Sequence, residues 1–79
     1  MSVLPSDYVA VGQSYEDRDQ DLFTVTAVQR VWSDYDRGER WHVTMMCVTS
    51  TKPWFPPGGT SELASYDGTL RTHGYTRVG

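Results

Sequence analysis

Seventy-nine residues make one small domain, in which folding hides only about 60% of the surface the unfolded chain exposes, so the expected core is on the order of a dozen side chains. Hydrophobic residues at 38% and aromatic residues at 13% are too many for a disordered chain. A net charge of -3 argues against a surface made to attract phosphate, and Cys47, the only cysteine, excludes an intrachain disulfide.

Residues 1–7, interrupted by Pro5, read as a flexible lead-in. They lack a basic region followed by an apolar run, so no signal peptide is expected and the expected compartment is the cytoplasm. No stretch has the length of a membrane span. Residues 8–11 are expected as a short edge strand and Gly12 as a turn. Residues 15–21 carry Glu16, Asp17, Asp19 and Asp21 with Arg18. Aspartate forms turns more readily than strands, so this segment is expected as a loop.

Residues 22–32 are rich in β-branched and aromatic types and predict a strand with Phe23, Val25 and Ala27 on one face. Val28 and Val31 fall out of phase with each other, which predicts a bulge or strong bend near Gln29. Asp34, Asp36 and Gly38 punctuate a turn over 33–39. Residues 40–51 predict a second strand. Trp41, Val43, Met45 and Cys47 form its core face, and His42, Thr44, Met46 and Val48 the other. The two strands make a long bent hairpin. Three prolines and two glycines make 52–59 a loop. Residues 60–65 predict a weaker strand, 66–73 a turn at Asp67-Gly68 with one helical turn, and 75–78 a closing strand. No window sustains a helical period. The expected fold is all-β: one domain over 8–79, with five short strands closed into a barrel, because closure removes edges that so thin a sheet would expose.

Four groups of residues could carry function. Asp17, Asp19 and Asp21 alternate as at the start of a calcium loop. Leu22 and Val28 stand where that loop needs glycine and glutamate, so the segment reads as a solvated acidic loop and no metal is expected. Cys47 has His42 and His73 as conceivable bases. On an ideal strand, however, His42 points away from Cys47, and the neighbours Met45, Met46 and Val48 suggest a buried, inert thiol. No nucleophile elbow, phosphate loop or dinucleotide fingerprint is present, so neither an enzyme nor a cofactor is expected.

The third group is Pro53-Trp54-Phe55-Pro56-Pro57, two large rings in a stiff loop. Exposed, they would bind a protein partner together with Trp32 and Tyr35 of the adjoining hairpin; folded inward, they would plug one end of the barrel. The fourth is Arg37, Arg40, Arg71 and Arg77, interleaved with Trp32, Trp41 and Tyr75, an arrangement suited to single-stranded nucleic acid. The acidic average and the nearby carboxylates Asp34, Asp36 and Glu39 favour ion pairing within the chain instead.

Two further stretches, residues 11–19 (VGQSYEDRD) and 70–78 (LRTHGYTRV), resemble the opening and closing patterns of a family of short uncharacterised proteins of actinobacteria and their phages. The absence of isoleucine and asparagine, and six arginines against one lysine, fit the high-GC coding of such a source. The resemblance implies an SH3-like barrel and no established activity. Tyr15, Asp17, Gly74 and Tyr75 match recurring positions and look like determinants of the fold. The turn at 34–39 and the loop at 53–59 depart from the pattern. The resulting expectation is a non-catalytic interaction module, phage-encoded or carried on a mobile element, that binds a host protein. The alternatives are a nucleic-acid-binding barrel and a self-associating virion or assembly component.

Overall fold

A computed structural model describes residues 8–35 and 37–79. The lead-in over 1–7 and the turn residue Asp36 lie outside the described residues. Five strands, β1 (Ser14–Glu16), β2 (Leu22–Ser33), β3 (Gly38–Thr49), β4 (Thr60–Ser65) and β5 (Thr76–Arg77), form one antiparallel sheet in the order β4-β3-β2-β1-β5. A 3-10 turn, Arg71–His73, precedes β5. The all-β expectation therefore holds, but the sheet does not close. β4 and β5 are its two edges, and β5, at two residues, pairs only with β1.

The expected strand at 8–11 does not form. Val9 is instead buried and donates its N–H to the Gly68 carbonyl at 2.7 Å, which ties this segment to the turn that follows β4. The first strand starts later, inside the acidic stretch. Tyr15 is only 4% exposed, and its backbone is flanked by Phe23 of β2 and Arg77 of β5. Burial of this one ring outweighs the poor strand propensity of its neighbours. The loop proper begins at Asp17, where the chain reverses through Gln20 at φ 65°.

β2 is bent where Thr26 is extra, between the pairs Val25↔Met45 and Ala27↔Thr44, and a second irregularity lies between Leu22 and Phe23. The bulge or bend expected near Gln29 lies instead at Thr26, and pairing at Gln29 is regular. Ordinary alternation sets Val28 opposite Val43 and Val31 opposite Arg40, so the two valines simply lie on opposite faces. The extra residue also turns Ala27 out to solvent, against expectation, and Val28 continues the inner face in its place.

On β3 the inner face is the one anticipated. Val43, Met45 and Cys47 are buried and Trp41 packs against them half-buried. Val9, Tyr15, Phe23, Val25 and Leu70 complete the cluster, and Phe55, Leu63 and Tyr75 close its rim. Beneath Trp41 the chain turns at Gly68, φ 80°, where a Cβ would stand 2.9 Å from the indole. Asp67 shapes this turn by accepting from the Thr69 N–H and hydroxyl, each at 2.9 Å, while the Ser65 hydroxyl donates to the Thr69 carbonyl at 2.6 Å. These bonds hold the Asp67 carboxyl below its ordinary range, the Thr69 N–H being the main cause.

The β2–β3 hairpin outruns the sheet. β1 pairs with β2 only over Leu22, Phe23 and Thr24, and β4 pairs with β3 only from Trp41 to Met46. Val31 to Ser33, with Gly38 to Arg40, therefore form a two-stranded ribbon flanked by neither neighbouring strand. Among the described residues, no helix is long and apolar enough to cross a membrane.

Candidate functional site

Lys52 opens the loop between β3 and β4. Its ammonium lies 2.5 Å from Asp21 Oδ2, 2.9 Å from Asp19 Oδ2 and 3.4 Å from Asp17 Oδ2. The nest is built locally first: Asp17 Oδ1 accepts the N–H groups of Asp19 and Asp21 at 2.9 and 3.0 Å, which folds the alternating aspartates inward. Asp21, only 2% exposed, also accepts the Thr51 N–H at 2.8 Å.

The hydrogen bond from Lys52 is the first cause that holds the Asp21 carboxyl below its ordinary range. Asp21, then Asp19, push the Lys52 ammonium well above its own. The expectation of a solvated acidic loop is corrected: its carboxylates gather round the only lysine of the chain. A compact ammonium has three donors to share among three oxygens, which a planar guanidinium would not match.

The loop is pinned at three further points. Phe55 turns inward, its ring centroid 6.0 Å from that of Phe23. Gly58 donates to the Cys47 carbonyl, and Gly59 accepts from the Cys47 N–H, both at 2.8 Å. Between Lys52 and Phe55, Trp54 remains 76% exposed. The two readings of the aromatic loop thus divide between adjacent residues: Phe55 is the plug, and Trp54, with exposed Pro53 and Pro56 beside it, faces solvent.

Trp54 lines a depression of about 170 Å³ with Asp17, Asp21, Phe23, Lys52 and Phe55. Asp17 also lines a second one of about 380 Å³, with Arg18, Asp19, His73 and Tyr75. Burial, and after it the carboxylate of Asp17, pushes the Tyr75 hydroxyl above its ordinary value.

Trp32 and Tyr35, expected to act with Trp54, are elsewhere. They sit at the tip of the protruding ribbon, 60% and 96% exposed, and the Trp32 indole N–H donates to Asp34 at 3.0 Å. The register that pairs Ser33 with Gly38 at one end pairs Leu22 with Thr49 at the other, beside the Lys52 loop. Eleven rises of about 3.3 Å separate the ends, close to the 38 Å length of the molecule.

The four arginines also divide. Arg37 is exposed in the ribbon turn, and the guanidinium of Arg40 lies 4.0 Å from the ring centroid of Tyr66. Arg71 and Arg77 flank a depression of about 210 Å³ lined by Tyr15, Leu70 and Tyr75, at the other side of the sheet. Arg30, which the sequence reading passed over, pairs with Glu39 and covers the Trp41 indole at 4.6 Å.

Cys47 is buried, with its thiol 3.3 Å from the Thr49 carbonyl, and His42 is exposed on the opposite face. His73 is exposed in the 3-10 turn. Comparison with known proteins finds no matching family model, no matching curated protein and no matching solved structure.

Proposed function

We propose that the chain is a non-catalytic protein-interaction module whose contact element is the indole of Trp54. One observation carries this reading: a loop anchored on both sides of Trp54, by Lys52 in its carboxylate nest and by Phe55 in the core, leaves the largest side chain between them in water. Burial of an indole at an interface is strongly favourable, and a loop already fixed loses little entropy when it docks. The aspartates, meanwhile, are committed to Lys52, and the thiol is shut in the core.

The SH3-like reading of the fold is supported by the strand order, in which the last strand lies beside the first, by the 3-10 turn before it and by the bend in β2 at Thr26. A phage origin, with a host protein as partner, rests on the two terminal patterns and on the high-GC bias of the composition.

The test compares capture from a bacterial lysate by immobilised wild type, Trp54→Ala and Phe55→Ala, with thermal melts of each. Trp54→Ala should lose the captured protein and keep the wild-type melt. Phe55→Ala should lower the melting temperature. Capture undiminished in Trp54→Ala would sink the reading.

A second reading, binding of single-stranded nucleic acid, is favoured by the depression between Arg71 and Arg77. Two phosphate contacts on a single strand predict about sevenfold weaker binding between 50 and 200 mM salt, read by anisotropy of a labelled oligonucleotide. Salt-independent or absent binding removes it.

A further inference from the structure

We infer that β4 pairs edge to edge with β4 of a second copy of this chain, joining two five-stranded sheets into one of ten. β4 is an edge strand of six residues, and its register with β3 runs unbroken from Trp41↔Ser65 to Met46↔Thr60. Among the described residues, no backbone hydrogen bond outside that ladder engages residues 60–65. Free edges are ordinarily blunted by brevity, lysine, proline or a bulge. β5 is blunted by having two residues. β4 has none of these devices, and its one charge is Glu62.

That charge selects both the occupant and the register. About a two-fold axis normal to the sheet, opposed residues share a face. Only registers centred on Glu62 or on Leu63 then pair most of the strand. The first sets two glutamates side by side, which like charge opposes. The second sets Leu63 against Leu63, and Glu62 against Ala64 of the second copy. The β3 neighbour of Ala64, on the same face, is His42. Glu62 of one copy therefore faces His42 of the other over a methyl group. The backbones are about 10 Å apart at that point, two strand spacings that the two side chains bridge together. Symmetry makes the contact twice.

The single chain is already shaped for it. His42 and Glu62 are both exposed, and neither side chain has an ion pair or hydrogen bond among the described residues. They line a depression of about 300 Å³ on this face with Ala27, Gln29, Thr44 and Ala64. The small side chains at 27 and 64 leave the room that the incoming carboxylate takes, where an imidazole N–H donates to it. A strand of any sequence offers an edge its backbone groups. This strand also brings its own carboxylate to its own imidazole.

The test is sedimentation equilibrium of the full chain from about 10 µM to about 1 mM, the range in which a modest dimer dissociates. The mass should rise from 9.0 kDa toward twice that value. Ala64→Glu opposes carboxylates at two symmetric places and should raise the dissociation constant about two- to thirtyfold. Ala64→Lys meets Glu62 at both places and should lower it. A change that merely disturbed the strand would move both variants the same way, and if Ala64→Glu fails to fold by far-UV circular dichroism, Ala64→Lys still decides. Tyr35→Glu, the same charge change at the ribbon tip, and Trp54→Ala should leave the constant unaltered.

The inference is overturned if the mass stays at 9.0 kDa throughout, which would leave the edge to residues 1–7 or to a strand of another protein. It is overturned equally if Ala64→Lys fails to tighten the dimer, or if Tyr35→Glu weakens it as much as Ala64→Glu. The lysate comparison at Trp54 is untouched by any of these results, so each reading falls on its own measurement.

Discussion

At the scale of single residues, the strongest constraints sit where a side chain has no substitute. Lys52 is one. Lys52→Met keeps the length of the side chain but leaves the buried Asp21 carboxylate without its cation, so the urea midpoint should fall clearly. Lys52→Arg should recover only part of it, because a planar fork cannot be shared among three converging oxygens. Equal midpoints for wild type and Lys52→Met would show that the nest does not stabilise the fold. Gly68 is another. An alanine there meets both the left-handed backbone and the Trp41 indole. Strain and overpacking together should cost about 2–4 kcal/mol, measured by denaturant unfolding. Gly12→Ala is the control: its φ is 93° but open space surrounds the new methyl, so only the strain, about 1–2 kcal/mol, should appear.

At the scale of elements, β3 is the centre of the molecule, paired along both edges and carrying the most enclosed side chain, Met45. Met45→Ala should cost about 2–5 kcal/mol, enough to unfold much of a domain this small. The ribbon beyond the sheet is the opposite case. A two-stranded hairpin alone is marginal in water, so amides at 31–33 and 38–40 should exchange hydrogen by local opening, well before those at 43–47. Uniform protection along the hairpin would show that the ring contacts of Arg30 and Arg40 hold the ribbon as firmly as pairing holds the rest.

The strands at 22–33, 38–49 and 60–65 were legible because each is long enough for alternation or β-branching to register. β1 was not, since three residues leave no pattern and acidic neighbours mask the one that matters, Tyr15. The position of the bend was hidden too. A phase change between Val28 and Val31 has the same appearance whether a residue is inserted or the two simply face opposite ways.

At the scale of the whole molecule, function-bearing residues sort by distance, which a sequence does not display. Trp32 and Tyr35 share ring chemistry with Trp54 yet sit at the other end of the long axis. Lys52 lies more than thirty residues from the carboxylates it gathers, and the sole hint was a lone lysine in a chain that otherwise uses arginine. That Phe55 would turn inward and Trp54 outward depended on Phe23 being within reach.

The ionisable groups also set how the whole fold answers to pH. Asp21 and Asp67 titrate lower folded than unfolded, so what they contribute is present above about pH 4 and is lost as acid protonates them. Lys52 titrates higher when folded, as do Tyr15 and Tyr75, whose hydroxyls burial disfavours as anions. Their contribution is present below about pH 10 and is lost above it. Melting temperature should therefore form a plateau between about pH 5 and 9 with a fall on each side. Lys52→Met should blunt the falls on both sides, whereas an unchanged profile would exclude the nest as their source.

Cys47 offers a way to watch the protein come apart. Its sulfur lies in the most protected strand, so an alkylating reagent can reach it only when the inner face lets go. The rate of mass gain at that one atom then becomes a clock for opening of the molecule. Trp54→Ala should leave that clock running at its native pace, and Lys52→Met should hasten it.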